Sequence, residues 1–174
     1  MSEVRICRAE PGDERELARI GAKTFSDKFA HLYAPEDLEA FLQENHAPET
    51  YVAKLADTST GIWKAIRSGG EIVGYAVAGP CGLPVENMPV GAMEISRLYV
   101  DGDYQSAGLG RKLMSEMLAW VDRHGPAPLY LSVYKFNDGA QRFYGRYGFE
   151  FLKEYRYKVG NHYDPEYVFA RVRR

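Results

Sequence analysis

Residues 93–121, MEISRLYVDGDYQSAGLGRKLMSEMLAWV, decide the fold of this chain. Met93 to Val100 is predicted to be a β-strand, and Gly102 to Gly108 a polar turn. From Leu109 onward, apolar side chains recur at helical spacing. A further strand is predicted from Leu129 to Tyr134. The stretch therefore predicts one crossover unit, made of a strand, a glycine-rich turn, a helix and a second strand.

The glycine-rich turn lies between the first strand and the helix of this unit. Glycines allow a backbone to approach a ligand closely. The first amides of a helix have no partner within it, and with the positive end of the helix dipole they attract anions such as phosphates. Arg111 and Lys112 add positive charge there. The competing interpretation is that Gly108 and Gly110 only shape a tight turn.

Two known phosphate-binding patterns do not fit this turn. A P-loop requires Ser or Thr directly after its Lys, whereas Leu113 follows Lys112. A dinucleotide-binding fingerprint requires a third Gly, and Leu113 occupies that position too. A ligand of this turn would therefore be a phosphate compound of another kind.

Shorter patterns upstream predict the first half of the fold. Val4 to Arg8 indicates a short strand. A helix follows, introduced by Asp13 and Glu16 as a capping box, and Pro35 suits the first position of another helix. Two strands, Ile62 to Arg67 and Glu71 to Gly79, flank a Ser-Gly-Gly turn. The three prolines of residues 80–89 indicate a loop.

Downstream, Asn137 is predicted to cap a short helix that Gly148 ends. Phe149 to Val159 and Glu166 to Val172 are predicted to form a final pair of strands. The element order thus predicts an α/β fold with a mixed, mostly antiparallel sheet flanked by helices. The length favours a single domain over residues 1–174.

Composition excludes several classes of function. With 22 basic and 24 acidic residues the net charge is −2, which argues against a nucleic-acid partner. No signal peptide or membrane-spanning run is found, so we expect a cytoplasmic protein without membrane association. Cys7 and Cys81 are expected to be free thiols, although sequence alone leaves a disulfide open. The four histidines are widely separated, so no metal site is expected.

Two motifs in register resemble those of the GNAT N-acetyltransferase superfamily. Gln105-x-x-Gly-x-Gly, preceded by the strand Glu94 to Val100, resembles its acyl-CoA motif. The run from Asn137 to Phe149 resembles its second motif. More narrowly, Thr24 to Phe29 with Pro35-Glu-Asp is similar to PaiA-type polyamine acetyltransferases. The resemblance implies the GNAT fold, with the sheet splayed between its central strands, and acetyl-CoA as co-substrate.

The resemblance also implies a set of acetyl-CoA-binding positions. The pyrophosphate would lie on the amides of the turn, and the pantetheine arm would pair with the strand ending at Val100, where it diverges from the strand ending at Tyr134. Asn137 is both an implied side-chain contact and a plain helix cap. The implied cofactor-binding residues are Leu98, Tyr99, Val100, Gln105, Ser106, Ala107, Gly108, Leu109, Gly110, Arg111 and Asn137.

Two residues are implied to carry the chemistry. Tyr144 matches the position that serves as general acid, and its alternative role is a core aromatic beside Phe143. Glu94 matches the position of a catalytic Glu, which would accept the amine proton directly or through water; its alternative is an acceptor-binding or paired carboxylate. Strand alternation predicts Glu94, Ser96, Leu98 and Val100 on one face of the strand, with Ile95, Arg97 and Tyr99 on the other.

The acceptor is expected to be a small-molecule amine. Four acids between Glu36 and Glu44 suit a cationic polyamine such as spermidine, or form only a solvated helix face. Tyr163, Asp164 and Glu166 are further candidate contacts. The alternatives are a protein N-terminus or lysine, an amino acid, an antibiotic amine, or a non-catalytic acyl-CoA sensor. A homodimer is left open.

Overall fold

The computed structural model describes residues 3–171, in which seven strands form one sheet in the order β1-β2-β3-β4-β5-β7-β6. Only β4 and β5 are parallel among the neighbouring strands of this described range. The strands are β1 (Val4–Arg8), β2 (Gly61–Arg67), β3 (Ile72–Pro80), β4 (Met93–Val100), β5 (Leu129–Tyr134), β6 (Glu150–Val159) and β7 (His162–Arg171). The α-helices are α1 (Glu14–Phe29), α2 (Pro35–Asn45), α3 (Pro48–Ala56), α4 (Leu109–Asp122) and α5 (Asp138–Gly145).

Helices cover both faces of the sheet. On one face, α4 places Leu113, Met117 and Val121 in the largest hydrophobic cluster. On the other face, Leu17 of α1 and Tyr51 of α3 pack in a second cluster over β2 and β3. Burial of these apolar stripes is the main stabilising term for such layers. The predicted α/β fold with a mostly antiparallel sheet is confirmed.

Three local predictions differ from the structure. Asp13 makes no capping bond to α1; its carboxylate instead accepts hydrogen bonds from the backbone N–H of Glu10 at 2.8 Å and from the Nζ of Lys64 at 2.6 Å. The helix α3 was not predicted. β7 begins at His162, four residues earlier than expected, and the predicted end of that strand at Val172 lies outside the described residues.

Two further findings concern the cysteines and the helices. Cys7 and Cys81 are both free and half-buried. Between residues 3 and 171, no helix combines the length and the apolar composition that crossing a membrane requires.

Candidate active site

The two parallel strands at the centre of the sheet separate, and a cleft opens between them. β4 pairs with β5 only from Met93 to Ile95, opposite Leu129 to Leu131, although both strands continue further. A cavity of about 600 Å³ lies at this divergence. Its walls come from β4, β5, the end of α1, α5 and the β6–β7 hairpin. The expected splay between the strands ending at Val100 and Tyr134 is therefore present.

A β-bulge at Ser96 decides which side chains face which side of β4. Val77 of β3 pairs with Arg97, but the next residue of β3 pairs with Ile95, so Ser96 is an extra residue. Cross-strand partners share a face, and the bulge interrupts the alternation. The predicted faces are therefore wrong. The face opposite α4 holds Glu94, Arg97 and Tyr99, whereas the α4 face holds Ile95, Leu98 and Val100.

The glycine-rich turn forms an anion-binding backbone at the start of α4. Ser106 and Gly108 have φ of 71° and 74°, a conformation that turns successive N–H groups to one side. Within the described chain, the N–H groups of residues 106–111 donate no hydrogen bond, and Lys112 is the first to donate, to the Gly108 carbonyl. Exposed Arg111 and Lys112 stand beside them. The turn is thus suited to phosphate groups.

The expected cofactor-binding residues fall into two neighbouring groups. The cavity is lined by Leu98, Tyr99, Val100, Gln105 and Asn137. The Nε2 of Gln105 donates to the Val100 carbonyl at 3.2 Å, which ties the turn to the end of β4. The rest do not line the cavity but continue from Gln105 into α4; they are Ser106, Ala107, Gly108, Leu109, Gly110 and Arg111.

Asn137 performs the capping role that was one of its two expected functions. Its Oδ1 accepts a hydrogen bond from the backbone N–H of Ala140 at 3.2 Å, at the start of α5. The same side chain lines the cavity. The two roles are compatible, since an amide has donors left after its oxygen has accepted.

Tyr144, at the end of α5, lines the cavity beside Asn137 and Ala140. Its ring packs edge-on against Phe149, with centroids 5.9 Å apart. Burial raises the pKa of the Tyr144 phenol, so it keeps its proton at neutral pH. Burial also raises the pKa of Tyr99, and the nearby Tyr144 and Glu166 raise it further. A protonated phenol therefore faces the cleft where β4 leaves β5.

Glu94 lines the same cavity from β4. Its Oε2 accepts the backbone N–H of Gly82 at 2.9 Å. Burial raises the pKa of this carboxyl, while the Gly82 N–H and Lys54 act in the opposite direction. The neighbouring Cys81 is a poor nucleophile, because burial raises its thiol pKa to about 11.

The hairpin supplies two carboxylates to the cleft. Asp164 and Glu166 are two residues apart on β7 and therefore face the same side, and both line the cavity. Tyr33 donates a hydrogen bond to Oδ2 of Asp164. The Ser132 hydroxyl donates to Oε2 of Glu166 at 2.8 Å and lies 2.7 Å from the Tyr155 hydroxyl. Tyr163, the third candidate of this hairpin, is exposed and does not line the cavity.

The acidic face of α2 does not contribute to the cleft. Glu36, Glu39 and Glu44 are exposed, and Asp37 accepts the backbone N–H of Asn161 at 2.8 Å. None of these four acids lines the cavity, and Glu44 acts only electrostatically on Tyr157, which does, so the structure favours the interpretation as a solvated helix face. The acids that do line the cavity besides Asp27 come from β4 and β7.

Several cleft residues were missed by reasoning from sequence. Lys28 and Lys54 line the cavity, and burial lowers the pKa of both. Ser132 and Tyr155 reach Glu166 only because β5, β6 and β7 are neighbours. The only indication of Ser132 in the sequence was its position as a polar residue between apolar residues of β5.

Comparison with known proteins agrees with this arrangement. A model of the acetyltransferase (GNAT) family matches residues 24–149. An uncharacterised N-acetyltransferase of Mycobacterium tuberculosis is 31% identical over 159 residues, which is 91% of this chain and 97% of that protein.

Two further relatives carry more specific names. A spermine/spermidine N(1)-acetyltransferase of Bacillus subtilis is 31% identical over 86 residues, covering 49% of this chain and 57% of its own. The crystal structure of PaiA N-acetyltransferase from Thermoplasma acidophilum in complex with coenzyme A superposes with a TM-score of 0.77 at 16% identity. That superposition covers 98% of this chain and 99% of the other, and it establishes likeness of fold.

Proposed function

Because this chain belongs to the GNAT acetyltransferase family, we propose that it transfers an acetyl group from acetyl-CoA to a primary amine. Both substrates would bind together, and the amine would attack the thioester directly, without an acyl-enzyme. One observation carries the proposal: the unpaired amides of residues 106–111 adjoin a cleft that also contains a protonated phenol and several carboxylates. A phosphate-bearing acyl donor and an amine suit these two parts.

The turn and β4 would hold acetyl-CoA. The amides after Gln105, with Arg111 and Lys112, provide donors and positive charge for its phosphates. Leu98, Tyr99 and Val100 pair with β3 on one side but have no strand on the side towards β5, so that their backbone can pair there with an extended arm. When bound, acetyl-CoA supplies the activated acetyl group, and the chain supplies orientation and proton transfer.

Proton transfer is needed at two atoms. An alkyl amine of pKa about 10.4 is mostly protonated at pH 7, and reaching its neutral form costs about 4.6 kcal/mol. Glu94 is the carboxylate that the sequence assigns to accept this proton, directly or through a water molecule. Tyr144 would donate its phenolic proton to the departing sulfur, since burial raises the pKa of this phenol and it therefore holds its proton at neutral pH.

We propose a polyamine such as spermidine as the acceptor. Glu94, Asp164 and Glu166 provide negative charge along the cleft, and tyrosine rings between them can bind ammonium groups by cation–π contact. The names of the Bacillus and Thermoplasma relatives support the same acceptor class and a PaiA-like specificity. Lys28 and Lys54 restrict where a polycation can lie, since both also face the cavity.

A CoA-release assay tests the proposal. The full chain is incubated with acetyl-CoA and, separately, spermidine, spermine, a peptide N-terminus, a lysine peptide, free amino acids and an aminoglycoside. We expect release with spermidine at a rate well above that with the other amines. Release with another class keeps the acetyltransferase and replaces the acceptor. Binding of acetyl-CoA without release on any amine would instead indicate the acyl-CoA sensor.

Three further expectations stay predictions. They are a single GNAT domain over residues 1–174, a location in the cytoplasm, and a choice between monomer and homodimer. Size-exclusion chromatography with light scattering decides the last of these.

A further inference from the structure

Glu166 lines the cleft, and the reaction proposed above gives it no role in proton transfer. On β7 it pairs in register with Tyr134 of β5 and with Tyr155 of β6. It lines the same cavity as Tyr99 and Tyr144. Both Glu166 and Tyr144 act electrostatically on Tyr99, so the carboxylate and the phenol lie near a common neighbour.

The carboxylate of Glu166 is half-buried and has no ion-pair partner among the described residues. Between residues 3 and 171 no Lys, Arg or His pairs with it, and its Oε2 accepts a hydrogen bond from the Ser132 hydroxyl at 2.8 Å. Lys28 of α1 reaches the same cavity but forms no ion pair with it. An ionised carboxylate in such a place is costly unless something else neutralises it. A proton, or a cationic substrate, is the available partner.

The surrounding groups explain how readily Glu166 takes a proton. Burial raises the pKa of Glu166 to about 7, the hydrogen bond from Ser132 lowers it, and the like charge of Asp164 raises it. A group with a pKa near the working pH is best suited to general base catalysis. The titratable neighbours of Glu166 are Tyr33, Tyr99, Tyr134, Tyr155, Tyr157 and Asp164.

Glu94 differs from Glu166 in the groups that stabilise its charge. The Gly82 N–H is bonded to its Oε2, and Lys54 lies close enough to lower its pKa. Both groups favour the charged carboxylate and oppose protonation. The negative charges of Glu94 and Glu166 both raise the pKa of Tyr155, so both carboxylates lie near this tyrosine in the cleft. Of these two carboxylates, Glu94 has Lys54 nearby, whereas Glu166 has no ion-pair partner among the described residues.

We propose that Glu166, in place of Glu94, accepts the ammonium proton directly from the acceptor amine, and that Glu94 then serves as an acceptor-binding carboxylate. The inference rests on the acetyltransferase function proposed above. The ammonium gives one proton to Glu166. The neutral nitrogen then forms a C–N bond to the acetyl carbon while the C–S bond breaks, and the sulfur takes the Tyr144 proton. The second nitrogen proton restores the Tyr144 phenol, and Glu166 releases its own proton to solvent.

The test is the pH dependence of kcat and kcat/KM in the full chain, with acetyl-CoA and the amine that gives the fastest CoA release. The unmodified chain is expected to show an ascending limb near pH 7. Glu166→Gln should lose this limb and lower kcat by about 100-fold at saturating amine, and KM for the amine should rise as well because a negative charge is lost. Glu166→Asp should retain the limb, because it restores an ionisable group.

Two neighbouring substitutions should move the limb in opposite directions. Ser132→Ala removes a hydrogen bond to the charged carboxylate, so the limb should move to higher pH. Asp164→Asn removes the like charge, so the limb should move to lower pH. A merely structural role of Glu166 would not produce this pair of opposite shifts.

The outcomes separate the two proposals. Normal turnover with an unchanged pH profile in Glu166→Gln would overturn the role of Glu166 and leave the acetyltransferase function intact. A raised KM with unchanged kcat would make Glu166 a binding residue only. Failure of the unmodified chain to release CoA with any amine would reject both. Carbon-13 titration of the glutamate carboxyls offers a readout without turnover: a Glu166 signal titrating in the ordinary range would also overturn the inference.

Discussion

The side chain of Asn137 accepts a hydrogen bond from the backbone of Ala140 at 3.2 Å, so that one residue both starts α5 and lines the cleft. The helix that it caps ends with Tyr144 and Gly145. The position of the proposed acid therefore depends on the same side chain that is proposed to contact acetyl-CoA. This double role can be separated by substitution, because serine caps helices about as well as asparagine.

Asn137→Ser and Asn137→Ala are expected to differ in stability but not in acetyl-CoA binding. The serine variant keeps a capping oxygen, so its Tm should stay close to that of the unmodified chain. The alanine variant loses it and should be less stable by about 1 kcal/mol. Both lose the amide, so both should show a raised KM for acetyl-CoA. If the serine variant binds acetyl-CoA normally, Asn137 is a cap and nothing more.

Tyr144→Phe should lower kcat by about 100-fold while the KM for acetyl-CoA changes little. The substitution removes the hydroxyl but keeps the ring that packs on Phe149. Tyr147→Phe is the matched control, since Tyr147 packs on Phe143 nearby and does not line the cavity. Steady-state kinetics at saturating amine measures both. Equal turnover in the two variants would remove Tyr144 from the acid role.

Gly110→Ala should weaken acetyl-CoA binding without destabilising the fold. A methyl at this position would meet the Phe143 ring at 3.9 Å, an ordinary contact, so the chain itself has room for it. Its effect would fall on a ligand approaching the first turn of α4, and we expect KM for acetyl-CoA to rise about tenfold. An unchanged KM would mean that the phosphates do not approach this backbone closely.

Gly108→Ala should act differently at the preceding turn. Here the added methyl meets Arg111 at 3.5 Å, again an ordinary contact, but the backbone has φ of 74°. An alanine in this conformation costs about 1–2 kcal/mol. We therefore expect both a lower Tm and weaker acetyl-CoA binding, measured by thermal denaturation with and without acetyl-CoA. A Tm equal to that of Gly110→Ala would argue against the left-handed turn.

Glu166→Gln should make the protein more stable above neutral pH. The pKa of Glu166 is about 7 in the fold, against 4.5 as its ordinary value. Between these values the unfolded chain loses a proton that the folded chain keeps, so this group reduces stability as pH rises from 4.5 to about 7. The reduction amounts to at most roughly 3 kcal/mol and is complete above pH 7.

Urea unfolding of both proteins at pH 5 and at pH 8 measures this effect. The free energy of unfolding should differ little at pH 5, and Glu166→Gln should be the more stable form at pH 8. Glu154→Gln is a control, because Glu154 is an exposed residue that pairs with Lys135 on the surface. A difference that does not change with pH would contradict the raised pKa.

The local parts of this fold could be predicted, and the long-range parts could not. The glycine-rich turn and the Asn137 cap are specified by residues a few positions apart, and the structure has both. The bulge at Ser96 depends on pairing with β3, so simple alternation misplaced Glu94 relative to Leu98. The carboxylate of Asp13 binds Lys64, 51 residues away, in place of its own helix.

In the candidate site, too, local features could be predicted and long-range contacts could not. Each sequence motif predicted the structure of its own segment. The hydrogen bond between Ser132 and Glu166, in contrast, joins residues that are 34 positions apart in the chain. The burial that raises the pKa of Glu166 arises only when β5, β6 and β7 assemble. The spacing of residues within one segment does not predict this burial. The acids of α2 were predicted to act together because they are close in sequence.

The short pairing between β4 and β5 leaves few hydrogen bonds between the two halves of the sheet. In the middle of the seven-stranded sheet, β4 pairs with β3 along most of its length but with β5 only from Met93 to Ile95. Beyond this segment, β4 and β5 diverge and leave room for an extended ligand between them. An extended substrate lying between them would act as a missing strand, so the protein should become stiffer and melt higher as acetyl-CoA is added.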